Sequence, residues 1–122
     1  MLIPAAPLLS PRTGTAAASS GIAPTARLIQ GGKAVVVQVT VNCPTGSDVL
    51  EAFLYVNQAD YQGEFAFFQP ICDGTPHTFT VRAQAVGFRY HVGEATVSGY
   101  VLLTSGASTS PTQTVTLHRG RR

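Results

Sequence analysis

The sequence has no tryptophan, a single lysine (Lys33) and few charged residues, which together make up 11% of its 122 residues. Globular proteins average about 25% charged residues. No apolar run approaches the ~20 residues that a membrane-spanning helix requires. The net charge of +2 is too small to indicate a nucleic-acid-binding protein by itself. Hydrophobic residues still reach 44%, so the chain can bury the core of one domain.

Amphipathic helices are also missing, because no segment repeats its apolar residues with a 3.6-residue period. From Arg27 onward apolar and polar residues alternate instead, as in half-buried strands. In Val49–Gln58 this alternation places Leu50, Ala52, Leu54 and Val56 on one buried face. The predicted strands are Ala34–Cys43, Val49–Gln58, Tyr61–Cys72 (an edge strand with an irregular end, because of Pro70), His77–Val86, Glu94–Leu103 and Gln113–His118.

The number and spacing of these strands predict an all-β fold, a single antiparallel β-sandwich of about seven strands. A closed barrel has the same alternation and remains the alternative. Over residues 27–118 the strand pattern resembles immunoglobulin-like sandwiches in general. The Cys…Trp…Cys hallmark of antibody domains is absent, and the cysteine spacing is short for their inter-sheet bridge. The resemblance thus rests on the strand pattern alone. It implies an immunoglobulin-like accessory domain, of the virion-decoration type or the bacterial cell-surface type.

Residues 1–25 hold four prolines and one charged residue and show neither helical nor strand periodicity. They predict an extended arm before a domain over residues 26–118, which a basic tail over residues 119–122 follows. We expect the apolar residues of the arm to dock on a neighbouring molecule; they are Leu2, Ile3, Leu8 and Leu9. The tail carries Arg119, Arg121 and Arg122, for which a solvated terminus is favoured over contact with phosphate or an acidic partner.

The same N-terminal residues have some features of a secretory signal. The alanines at 16–18 would suit a cleavage site, but no basic residue precedes Arg12, and Pro4 and Pro7 interrupt the apolar stretch. The sequence therefore favours an arm that is kept. A start codon assigned downstream of the true beginning would restore the secretory interpretation.

The two cysteines, Cys43 and Cys72, each end a predicted strand beside a turn, Cys-Pro-Thr-Gly and Cys-Asp-Gly. These matching positions favour a disulfide over two buried free thiols. A two-cysteine metal site lacks partners, because Cys43 has no second ligand close by and His77 alone does not complete a site.

Two aromatic groups are candidates for a partner-binding surface. Phe67 and Phe68 belong to a run of three phenylalanines in four positions, which cannot all point inward from one regular strand. The second group, Phe88, Arg89 and Tyr90, lies in a loop between two predicted strands. The alternative for this loop is that its aromatic residues cap the end of the sandwich.

No catalytic motif is present: there is no G-x-S-x-G elbow, and His77, His91 and His118 are far apart in the sequence. We therefore predict a protein that is not an enzyme and uses neither a metal nor another cofactor. The first functional hypothesis is a structural accessory subunit of a larger assembly such as a phage capsid or tail, with protein partners and located in the virion. The second is a secreted or cell-surface bacterial domain for adhesion or ligand binding, which a disulfide would favour.

Overall fold

A computed structural model of the chain describes residues 18–120, which form an all-β, mostly antiparallel sheet. Its strands are β1 (Ser19–Ile22), β2 (Thr25–Ile29), β3 (Ala34–Asn42), β4 (Val49–Gln58), β5 (Tyr61–Gln62), β6 (Ala66–Phe67), β7 (His77–Gln84), β8 (Gly93–Leu103), β9 (Ser108–Thr109) and β10 (Thr112–Arg119). Between β2 and β3, Gln30–Gly32 form a short 3-10 turn. The described range thus holds ten strands rather than about seven, because β1, β2 and β9 lie outside the predicted strands and the predicted Tyr61–Cys72 contains both β5 and β6.

Pairing centres on two long strands. The first, β3, pairs antiparallel with β7 on one edge and with both β1 and β2 on the other. The second, β8, pairs antiparallel with β4 on one edge and with β10 and β9 on the other. Strand β2 joins the two groups, since it also pairs with β10 in parallel.

One hydrophobic core receives the inward residues of both groups of strands. The alternation that predicted the strands is therefore the alternation that fills the core. The largest fully buried aliphatic side chains come from β3 (Val35, Val37, Val39, Val41), β4 (Leu54, Val56), β8 (Val97, Val101, Leu103) and β10 (Val115, Leu117). Full burial of each such side chain contributes roughly 1.5–3 kcal/mol.

The predicted disulfide is confirmed. Cys43 follows β3, Cys72 lies in the segment before β7, and their Cα atoms are 4.4 Å apart. The backbone N–H of Gly74 also donates a hydrogen bond to the carbonyl of Cys43, at 2.9 Å. The bridge therefore fastens the turn before β7 to the end of the strand with which β7 pairs.

Leu50 was placed in the core by alternation, and this is wrong: its side chain is 63% exposed. The pairing of β4 with β8 shifts register between Val49 and Glu51, and this irregularity changes the face on which Leu50 lies. The predicted edge strand Tyr61–Cys72 is likewise reduced to β5 and β6.

Two predicted boundaries fall inside the sheet. Residues 19–25, assigned above to the arm, include β1 and the first residue of β2. Arg119, assigned to the tail, is the last residue of β10. The remainder of the predicted arm, residues 1–17, and the last two residues of the tail lie outside the described residues.

Candidate functional site

The outer surface of β4 and its neighbours carries a cluster of five aromatic side chains, which we call the aromatic face: Phe53, Tyr55, Phe65, Phe67 and Tyr100. Alternation along β4 decides this placement. Ala52, Leu54 and Val56 are buried, so the residues between them point away from the core.

Strand register brings the other rings to the same place. Phe53 pairs with Tyr100 of β8 on one side and with Phe67 of β6 on the other. Its ring is the centre of the cluster: the centroid lies 4.8 Å from that of Phe65 in a stacked arrangement, 5.9 Å from Phe67 and 5.8 Å from Tyr100. Tyr55 contacts Phe65 at 5.1 Å. Such aromatic pairs contribute about 0.5–1.5 kcal/mol beyond their buried area, so the rings hold one another in place.

Much of the aromatic face is open to solvent. Phe67 is 68% exposed and Phe65 is 49% exposed, while the other three rings are half-buried. Contiguous exposed apolar surface of this kind marks interaction sites in soluble proteins. The arrangement offers ring faces and edges for contact.

Sequence reasoning found part of this site. Phe67, which the sequence predicts to be a partner-binding residue, lies exposed on the aromatic face. Phe68 does not, because it is half-buried, packs against the core and contacts Phe79 with ring centroids 5.9 Å apart. Tyr100 was missed, although the buried Val101 beside it in the alternating pattern signals that Tyr100 points outward.

The candidate loop with Phe88, Arg89 and Tyr90 is divided by the fold. Tyr90 is only 2% exposed, so its assignment as a partner-binding residue is corrected. Its hydroxyl donates a hydrogen bond to the carbonyl of Val56 at 2.9 Å, and burial raises the pKa of Tyr90 to about 12. The half-buried ring of Phe88 stacks on Tyr61 at 5.1 Å. Only Arg89 is exposed, and it donates a hydrogen bond to the carbonyl of Gly31 at 3.1 Å.

A polar cluster that the sequence analysis did not single out follows Cys72. The carboxylate of Asp73 accepts hydrogen bonds from the Thr75 hydroxyl at 2.7 Å and the Thr75 backbone N–H at 3.0 Å, and it lies 2.8 Å from Nε2 of His77. The bond from the Thr75 hydroxyl, then that from His77, lowers the pKa of Asp73 to about 2.

This cluster does not form a nucleophilic triad. A triad places the carboxylate and the hydroxyl on opposite ring nitrogens of the histidine. Here both lie on Nε2 of His77, and the Thr75 hydroxyl donates to Asp73. The cluster therefore stabilises the turn before β7, and we call it the turn lock. Asp73, Thr75 and His77 are close enough in sequence for these hydrogen bonds to form within one turn.

The remaining predicted partner-binding and tail residues lie mostly outside the described part of the chain. Leu2, Ile3, Leu8, Leu9, Arg121 and Arg122 lie outside the described residues, and Arg119 is exposed. Between residues 18 and 120, no group of three or more His, Cys, Asp or Glu residues is placed to hold a metal ion. Within that range, no helix has the length and apolarity needed to cross a membrane.

No protein-family model matches the chain, and no curated protein is detectably similar to it in sequence.

Proposed function

We propose that this chain is a non-enzymatic interaction module that contacts protein neighbours through the aromatic face. The exposure of Phe65 and Phe67 beside three further rings is the observation that carries the proposal. Removing such surface from water is the main driving force of protein association, and aromatic residues are enriched where binding energy concentrates.

The finer fold assignment proposed is an immunoglobulin-like sandwich. It is supported by two groups of strands, centred on β3 and β8, that share one core. Strand β1 pairs with β3 alone, whereas β2 pairs with β3 and also, in parallel, with β10, so the first strands of the chain bridge the two groups. The buried Tyr90 before β8, with its hydroxyl bonded to a backbone carbonyl, is similar to the tyrosine corner of such domains. It differs in that the carbonyl, of Val56, lies 34 residues away in sequence.

The partner that we propose is a neighbouring copy of this chain within a larger assembly, such as a phage capsid or tail. A contact between identical surfaces brings like charges together if the surface is charged. The five rings are uncharged, and Tyr55 pairs across strands with the uncharged Ser98; the one charged residue that β4 carries on this side is the exposed Glu51, which lies beyond Phe53 at the edge of the face. This assignment to an accessory or decoration subunit of a virion remains an analogy at the level of the fold.

The alternative proposal is a secreted or cell-surface bacterial domain. The disulfide between Cys43 and Cys72 favours it, because such bridges persist in oxidising compartments. Intact mass of the protein from its native source distinguishes the two. A mass that includes residues 1–17 supports the assembly subunit, whereas one that begins near Ser19 supports the secreted domain.

Sedimentation of the full chain over a range of concentrations tests the aromatic face. We expect concentration-dependent self-association, which the double variant Phe65→Ser/Phe67→Ser abolishes. Val86→Ser is the matched control, since Val86 is 59% exposed and lies off the face. A chain that stays monomeric throughout, or one that the control weakens as much as the double variant, would overturn the proposal.

A further inference from the structure

A second surface, which shares no residue with the aromatic face, is a cleft that we call the basic cleft. It lies between the Gln30–Gly32 turn, the loop that holds Arg89 and His91, and the end of β10 at Arg119. Its cavity of about 280 Å³ is large enough for a small ligand.

Hydrogen bonds fix the walls of the basic cleft. The backbone N–H of Tyr90 donates to the carbonyl of Gly32 at 2.8 Å, and Nη1 of Arg89 donates to that of Gly31 at 3.1 Å. Tyr90 is in turn anchored in the core through its hydroxyl. The next residue, His91, is held at its backbone N–H and carbonyl by the side-chain amide of Gln58, at 2.8 and 2.9 Å. The cleft is therefore preformed, which lowers the entropic cost of binding.

The turn itself has an unusual backbone. Gln30, which is not a glycine, has a φ of 53°, and Gly32 has a φ of 91°. A Cβ atom on Gly32 would collide with the carbonyl oxygen of Tyr90. Strained backbone of this kind concentrates at binding sites, where the surrounding structure maintains it.

The charges of the cleft all have one sign. Of the described residues, Arg89 and Arg119 line it, and no carboxylate does. In the described part of the chain the one ion pair is that of His77 with Asp73, so neither arginine is neutralised there by a carboxylate. Arginine side chains present several N–H donors in a planar fork, which fits the oxygens of a phosphate group.

We propose that the basic cleft binds a phosphomonoester. Arg89 and Arg119 would hold the phosphate oxygens, and Ile29 and Val92, which also line the cavity, would contact the carbon side of the ester. The small size of the cleft fits a single phosphate group. The proposal is independent of the aromatic face, because the two surfaces share no residue.

Calorimetric titration of the full chain tests the proposal, with inorganic phosphate, phenyl phosphate and acetate as probes. We expect saturable one-to-one binding that is tightest for phenyl phosphate and weakest for acetate. Arg119→Ala should weaken binding about 10- to 100-fold, since it removes charge-assisted hydrogen bonds. Arg82→Ala is the matched control: it removes the same charge from an exposed position on β7, and its effect should be less than about twofold.

A second measurement locates the ligand and covers loss of folding in a variant. In two-dimensional NMR spectra of the unmutated chain, phenyl phosphate should shift the amide signals of Gly31, Gly32 and Gly120. The proposal is overturned if no probe saturates, if acetate binds as tightly as the phosphates, or if Arg82→Ala weakens binding as much as Arg119→Ala. Shifts confined to the aromatic face would also overturn it. Tighter binding of inorganic phosphate than of phenyl phosphate would refute the ester and leave free phosphate as the ligand.

Discussion

Removing the bridge between Cys43 and Cys72 should destabilise the domain through its unfolded state. The bridge closes a loop with a sequence separation of 29 residues. In the loop-entropy model such a cross-link contributes about 3–4 kcal/mol at 25 °C. For a domain of roughly 100 residues this corresponds to a fall in Tm of about 15 °C.

The folded state should survive the loss of the bridge. The segment before β7 is still held by the hydrogen bond from Gly74 to Cys43, and β7 pairs with β3 from His77 to Gln84. The circular dichroism spectrum should therefore stay that of a β-protein. The m-value in urea should rise, because an unfolded chain without the cross-link exposes more surface.

Urea unfolding of the protein with and without reductant measures this effect, with the double variant Cys43→Ala/Cys72→Ala as comparison. Cys43 is fully buried, so the variant also loses packing around the sulfur. Reduction of the unmutated protein isolates the cross-link and is the decisive measurement. A change below about 1 kcal/mol with complete reduction would refute the loop-entropy reasoning.

Three further predictions concern other parts of the chain. Asp73→Asn should lower the free energy of unfolding near pH 6. The pKa of Asp73 falls from 3.8 to about 2 in the folded state, so the ionised carboxylate stabilises the fold above pH 3.8. The difference between variant and wild type in chemical unfolding should therefore shrink as the pH falls towards 2. A difference that is constant with pH would count against this. Leu54→Ala should cost about 2–5 kcal/mol in urea unfolding, since Leu54 is fully buried, and a cost below 1 kcal/mol would contradict its place in the core. Deleting residues 1–17 should reduce assembly with little change in Tm. Deleting residues 1–25 should also lower the Tm, because it removes β1, which pairs with β3. Equal Tm values for the two deletions would contradict the role of β1.

The sequence by itself determined the all-β fold and most of its strands. An apolar residue at every second position, as in Ala34–Asn42 and His77–Gln84, can be buried on one side only if the backbone is extended. The disulfide was also predicted, because each cysteine ends a predicted strand beside a turn, although in the structure only Cys43 directly follows a strand. The turn lock of Asp73 and His77 is equally local, because its residues are four apart.

Tertiary structure decided the two surfaces. The aromatic face exists because β4 pairs with both β8 and β6 in the register that sets Phe53 between Tyr100 and Phe67, and no local pattern encodes that register. The basic cleft likewise joins residues near positions 30, 90 and 119. Tyr90 lies in a loop sequence that predicts a surface contact. It is buried instead, because its ring packs in the core and the Val56 carbonyl accepts a hydrogen bond from its hydroxyl. Alternation reports which face of a strand is apolar, whereas the position of each strand beside its neighbours is a property of the whole packed chain.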